Sequence, residues 1–268
     1  MKKLKIIAGN CILEDFDTTI KTAEALIDFS KKYNFDLVYK SSFKKDNRSS
    51  QDYYTGLNLS ESIKIFKYLK QKYNVDILTD FHNLYELDTE IVDVIDILQI
   101  PAYLCMQTEL VLKIAHVGKP VNIKKGQFLH PEDVGKIVKK IESTGNKNIM
   151  VTERGTCFGY RDLVVDPRSF YILKKFGYPV FFDAGHAVRK YGVPSADIAK
   201  GGTKEYINIL ACAAIACKID GIFVEVHPEP DIAKCDAATQ FSFKEFEKLL
   251  KEVLPIWDVV NKNFNREK

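Results

Sequence analysis

Eight short apolar runs in this chain each lead to a side chain able to do chemistry: Cys11, Lys40, Asp80, Gln99, Lys124, Arg154, His186 and Glu225. Alone, none of them says much. A single cysteine serves most often as a small core hydrophobe, and a single histidine at a strand end is commonly structural. Together they divide into two chemistries. Cys11, His186 and Glu225, with Asp236 from the segment that follows, are four metal-ligand types. A mixed sulfur, nitrogen and oxygen set suits a borderline divalent ion, Zn2+ or Fe2+, with Mn2+ or Co2+ also admissible; hard Mg2+ does not favour a thiolate. The competing reading is a buried thiol beside a histidine–carboxylate hydrogen bond.

The second chemistry is anion handling. Lys40, Lys45, Arg48, Lys124, Lys125 and Arg154 stand at or just after the apolar runs. Such cations hold phosphate and carboxylate through charge-assisted bonds, and converging in a cleft without an anion would be costly. The alternative is that they reach solvent or pair with Asp80, Glu153 and Asp183. A lysine there could also form a Schiff base, but nothing in the sequence marks one as unusually desolvated.

The elements that must position these groups are the runs Leu4–Ala8, Leu37–Lys40, Asp76–Thr79, Ile95–Ile100, Val121–Lys124, Ile149–Thr152, Pro179–Phe182 and Gly221–Val226. They are near-continuous and rich in Val, Ile and Phe, the pattern of parallel strands buried on both faces. Helical patterns lie between them. In Thr18–Tyr33, the residues Ile20, Ala23, Leu26, Ile27 and Tyr33 form an apolar stripe with Phe29 at its edge. Ser60–Tyr73 carries Ile63, Phe66, Leu69 and Tyr73 on one face. Pro131-Glu132-Asp133 reads as a helix start, and Phe241–Val260 as a long last helix. Eight strand-then-helix units predict an α/β fold, a (β/α)8 TIM barrel of one domain over residues 1–268. A doubly wound open sheet is the rival. No glycine-rich dinucleotide fingerprint follows the first strand, and reactive residues follow all eight strands instead of gathering at one switch point. In a barrel the first and eighth strands are neighbours, so Cys11, Glu225 and Asp236 can converge. The long polar segments Phe43–Gly56 and Gly185–Lys204 read as functional loops, with Gly201-Gly202 as a cover or hinge.

Composition narrows the function. The 268 residues are 46% hydrophobic and 28% charged, as in an ordinary globular protein. The net charge of +3, from 39 basic and 36 acidic residues, gives no clustered basic face for nucleic acid. No apolar run reaches the ~18–20 residues of a membrane span. The six cysteines form no CxxC pair. No signal-peptide pattern precedes the first strand, so the expected location is the cytoplasm, with reduced thiols.

The run Lys40-Ser41-Ser42-Phe43-Lys44-Lys45-Asp46-Asn47-Arg48-Ser49-Ser50 resembles the KxSFDKANR(S/T)S signature of the 3-deoxy-D-manno-octulosonate 8-phosphate synthases. Further matches follow in order: Thr79-Asp80-Phe81-His82, Gln107-Thr108, Asn122 to Phe128, Thr152-Glu153-Arg154-Gly155, Phe182-Asp183-Ala184 with His186, and Glu225 to Pro230 with Asp236. The likeness covers nearly the whole chain. The related DAHP synthases use a KPR-type motif after the second strand, which Lys40-Ser41-Ser42-Phe43 is not.

The resemblance implies condensation of phosphoenolpyruvate with arabinose 5-phosphate, a step toward lipopolysaccharide, by a homotetramer. It assigns Lys40, Gln99, Lys124 and Arg154 to phosphoenolpyruvate, and Lys45, Asn47, Arg48, Ser49 and Asp80 to the aldose phosphate. The family divides on the residue after the first strand. Cys11 places this chain with the metal-dependent members and implies Cys11, His186, Glu225 and Asp236 as ligands. His186, Asp236, Lys124 and Asp80 are the implied catalytic set. There are departures from the family pattern: Asn10 for Pro, Lys44 and Asp46 for Asp and Ala, Tyr54 to Asn58 for an (F/Y)RGPG stretch, Asn83 for Glu, and Met106 for Arg. Thr55 and Met106 remove two cations from the acceptor side. Two alternatives follow: the same donor with another phosphorylated aldose, and a non-catalytic binding paralogue.

Overall fold

A computed structural model describes residues 3–47, 50–159, 162–194 and 200–262. Eight parallel strands, Lys5–Gly9, Asp36–Lys40, Asp76–Asp80, Ile97–Ile100, Val121–Lys124, Ile149–Glu153, Val180–Asp183 and Gly221–Glu225, close into a barrel. The first strand pairs with both the second and the eighth, Gly9 lying opposite Glu225. An α-helix follows each strand: Phe16–Tyr33, Leu59–Tyr73, Ile91–Val94, Thr108–His116, Val134–Glu142, Arg168–Lys174, Ile207–Ala216 and Phe243–Lys262. The expected (β/α)8 barrel is the observed fold.

Strand side chains alternate between two apolar layers. One set packs outward against the helices in the main core. The other, Ile7, Val38, Leu78, Ile97, Phe181 and Phe223, forms a separate cluster that fills the barrel interior. Two residues further along each strand, the same inward direction is taken by Gly9, Lys40, Asp80, Gln99, Asp183 and Glu225. A polar layer therefore sits on an apolar plug at the carboxyl edge. Gly9 is required there by close approach: a Cβ would run into the carbonyl oxygen of Lys40.

Several elements differ from expectation for identifiable reasons. The fourth strand begins at Ile97, because Ile95 caps the helix Ile91–Val94 and Asp96 turns its carboxylate onto the N–H of Ile77 (2.8 Å) and onto Lys70. After the third strand the chain makes a 3-10 turn over Leu84–Asp88 and only a four-residue helix. A small antiparallel hairpin, Thr156–Cys157 with Leu163–Val164, follows the sixth strand and was not expected. The first helix turns Thr19 and Thr22 inward with Ala23 and Leu26, leaving Ile20 and Ile27 partly covered. Backbone carbonyls one turn back accept both threonine hydroxyls, so burial costs them little. Thr22 Oγ1 also accepts from Asn10 Nδ2 (3.1 Å), while Asn10 Oδ1 accepts from the Tyr39 hydroxyl (2.6 Å). Gly202 bridges to Arg189, and a Cβ there would meet the Thr239 side chain.

Candidate active site

A cavity of about 690 Å³ opens at the carboxyl edge of the barrel. Among the described residues six cations line it, Lys40, Lys45, Lys124, Arg154, Arg189 and Lys190, against three carboxylates, Asp80, Asp183 and Asp236; Asn47 and Gln99 also face it. The excess positive charge suits an anionic ligand, since unpaired buried cations carry a large desolvation cost. Arg48 and Ser49 lie outside the described residues.

The apolar plug supports two of these cations directly. Phe223, at its top, lies under Lys124 Nζ at 3.1 Å from the ring centroid and under Lys40 Nζ at 5.8 Å. Lys124 pairs with Asp183. Burial outweighs that attraction and pushes the lysine down to about 8, while His186 and Lys124 hold Asp183, despite its burial, well below the usual carboxylate range. Lys40 Nζ donates to the carbonyl of Cys11 and to Ser42 Oγ, both at 3.0 Å, and stands 3.6 Å from Glu225 Oε1 and 4.0 Å from Asp80 Oδ1. Ser42 donates to Asp80 at 2.5 Å. Burial alone would raise Asp80; Lys40, Lys45 and His82 reverse it and keep the group ionised.

Arg154 is held by its neighbours on both sides. Its guanidinium donates to Gln127 Oε1 (2.9 Å) and meets the Tyr191 hydroxyl (2.6 Å). Its backbone is fixed by Glu153, whose Oε1 accepts from the N–H groups of Arg154 (2.9 Å) and Gly155 (2.6 Å) and lies 3.4 Å from Lys125 Nζ. Lys125 is fully buried and absent from the cavity wall, so it belongs to this brace and not to the anion-facing set. Gln99 points its amide into the cavity with no partner for Oε1 among the described residues.

The four ligand types do come together. Their donor atoms form two overlapping triads, each with all atoms within 4.8 Å: His186, Glu225 and Asp236; and Cys11, Cys235 and Asp236. Asp236 joins the two. Its Oδ2 lies 3.2 Å from Cys11 Sγ and 3.6 Å from His186 Nε2, and its Oδ1 contacts Arg189. His186 Nδ1 faces Asp183 at 3.0 Å, which orients the ring so that Nε2 points toward Asp236. Both oxygens of Glu225, a residue only 2% exposed, lack a hydrogen-bond partner among the described residues. Lys40 Nζ, 3.6 Å from Oε1, balances part of its charge, but a buried carboxylate with neither oxygen hydrogen-bonded still lacks close donors, so this donor set fits a divalent ion.

Sequence reading missed Cys235, Arg189, Lys190 and Tyr191. For Cys235 the usable signal was adjacency to Asp236. For the others it was a basic pair within the long polar segment after His186.

Residues 2–258 match the model of the DAHP synthetase I family. A 2-dehydro-3-deoxyphosphooctonate aldolase of Geobacter sp. (strain M21) is 42% identical over 260 residues, covering 97% of this chain and 94% of the relative. Its counterpart in Francisella tularensis subsp. holarctica (strain LVS) is 45% identical over 258 residues, 94% of this chain and 92% of the relative. That of Protochlamydia amoebophila (strain UWE25) is 41% identical over 259 residues, 97% and 93%. The chain therefore belongs to the DAHP synthetase I family, within its group of 2-dehydro-3-deoxyphosphooctonate aldolases.

Proposed function

We propose that the chain condenses phosphoenolpyruvate with arabinose 5-phosphate and water to give 3-deoxy-D-manno-octulosonate 8-phosphate and inorganic phosphate. The observation that carries this reading is the cation-lined cavity set directly over a buried Cys, His, Glu and Asp donor set. The name borne by the relatives agrees with it.

In this reading Lys40, Gln99, Lys124 and Arg154 hold the carboxylate and phosphate of phosphoenolpyruvate. Lys45, Asn47 and Asp80, with Arg48 and Ser49, hold the aldose phosphate. Cys11, His186, Glu225 and Asp236 would hold a divalent ion, Zn2+, Fe2+, Mn2+ or Co2+. When bound, it supplies Lewis acidity toward the acceptor aldehyde. C3 of phosphoenolpyruvate attacks the aldehyde carbon, water adds at C2, and phosphate leaves. The fixed ammonium of Lys124 and guanidinium of Arg154 stabilise charge as it moves through the donor. Holding two anions side by side removes the entropy cost of a bimolecular encounter. We assign Asp236, with His186 beside it, to the protons of the attacking water. The test is the mass of the product formed from phosphoenolpyruvate and arabinose 5-phosphate, with phosphate release as the rate signal. No phosphate release from phosphoenolpyruvate and arabinose 5-phosphate would remove the proposal.

A second reading keeps the donor and changes the aldose, because Thr55 and Met106 present no charge where the family signature has Arg. Other phosphorylated aldoses in the same assay decide between the two. Faster turnover of any of them than of arabinose 5-phosphate selects the second.

Lys124 gives a pH signature. Burial pushes its pKa down to about 8, and an anionic substrate binds the protonated form. Affinity for phosphoenolpyruvate is therefore full below pH 8 and falls as pH rises through it, by up to about tenfold per unit. KM measured from pH 7 to 9.5 checks this; a flat KM would contradict it.

No helix among the described residues is long and apolar enough to cross a membrane. We take the enzyme to be cytoplasmic, and a homotetramer built partly on the exposed Leu84, Tyr85, Tyr103 and Met106. Light scattering should give a mass near four chains; a monomer's mass would rule this out.

A further inference from the structure

We propose that Cys235 is a second sulfur ligand of the divalent ion, giving the site two thiolates and a preference for soft ions over Mn2+. The inference rests on the metal-dependent reading above and adds a donor to it.

Three observations carry it. First, Cys235 Sγ lies 2.8 Å from Cys11 Sγ and 3.5 Å from Asp236 Oδ2, and the three donors form one of the two ligand triads. Second, one side chain fixes both cysteines. The amide of Gln240, itself wholly buried, accepts from the Cys11 N–H through Oε1 (3.2 Å) and donates to the Cys235 carbonyl through Nε2 (2.7 Å). Residues from opposite ends of the chain are thereby locked with their sulfurs facing each other. Packing alone asks for no such clamp. Third, although Ile12 and Tyr54 pack beside the two sulfurs, the buried Asp236 carboxylate also reaches both of them. Besides Asp236, the Glu225 carboxylate, whose oxygens accept no hydrogen bond among the described residues, completes the other triad with His186.

The chemistry follows from softness. Thiolate donors favour Zn2+ and other soft or borderline ions; carboxylate and water suit Mn2+. As each metal–sulfur bond forms, the thiol gives its proton to solvent, so two protons leave where a single thiolate site would release one.

X-ray absorption at the zinc edge of the zinc-loaded wild-type chain tests this without any variant. Two sulfur scatterers at about 2.3 Å are expected. Cys235→Ser should retain zinc with one sulfur, and its preference for Zn2+ over Mn2+ in competition should fall at least tenfold. One sulfur in the wild type, with zinc bound, would overturn the role of Cys235 and leave the ion itself in place. Failure of the wild type to hold zinc or any other divalent ion would instead overturn the metal reading beneath it.

Discussion

Lys124→Met should lower kcat/KM for phosphoenolpyruvate by about two to three orders of magnitude. Lys124 lies buried against Asp183 and over the ring of Phe223. Its removal leaves Asp183 its contacts with His186 but not its lysine, which costs stability. It also deletes a charge-assisted bond to the bound anion. Losing one preorganised electrostatic contact typically costs ~2.7–4 kcal/mol in the transition state, which is about two to three decades. A variant that merely unfolded would give the same number, so Lys124→Met combined with Asp183→Asn should be measured too. That pair removes the Asp183 charge as well and should recover thermal stability without recovering activity. A fall of less than tenfold in the single variant would contradict the assignment of Lys124 to the donor.

Stripping the divalent ion should have a comparable effect. Chelator-treated enzyme should keep less than about 1% of its phosphate-release activity, because Lewis-acid stabilisation of several kcal/mol is lost. Zn2+, Fe2+, Mn2+ or Co2+ should restore it. Cys11→Asn should lower bound metal by elemental analysis. The Cys11 thiol is pushed up by burial, by its contact with Cys235 and by the charges of Asp236 and Glu225. Binding must displace its proton, so metal retention should weaken as pH falls. Full activity after chelation, confirmed metal-free, would contradict the ligand role of the whole set.

Much of this was legible because barrel strands have a strict two-residue period. Lys40, Asp80, Gln99 and Glu225 lie two positions beyond Val38, Leu78, Ile97 and Phe223 of the interior plug. A strand buried on both faces thus still shows which end residues turn inward. The same rule separates Lys124 from Lys125: adjacent in sequence, they face opposite ways, one into the cavity and one into the Glu153 brace. Where geometry comes from turns and not from a period, the sequence was silent. Cys235 reaches Cys11 only through a turn in which Asp236 takes φ 48° and the Asp236 carbonyl accepts the N–H groups of Thr239 and Gln240. Arg189 and Tyr191 reach Asp236 and Arg154 from a loop of no regular repeat. The first helix was misjudged by a fraction of a turn, because its buried threonines satisfy themselves on the backbone and so pack as if apolar.

The most direct test is anomalous diffraction at the absorption edge of the metal, on crystals of the metal-loaded chain. A single strong peak should stand among the side chains of Cys11, His186, Glu225 and Asp236, at the foot of the cavity that Lys124 and Arg154 line. A peak elsewhere in the molecule, or one that the thiol of Cys11 and the ring of His186 do not share, would contradict the account.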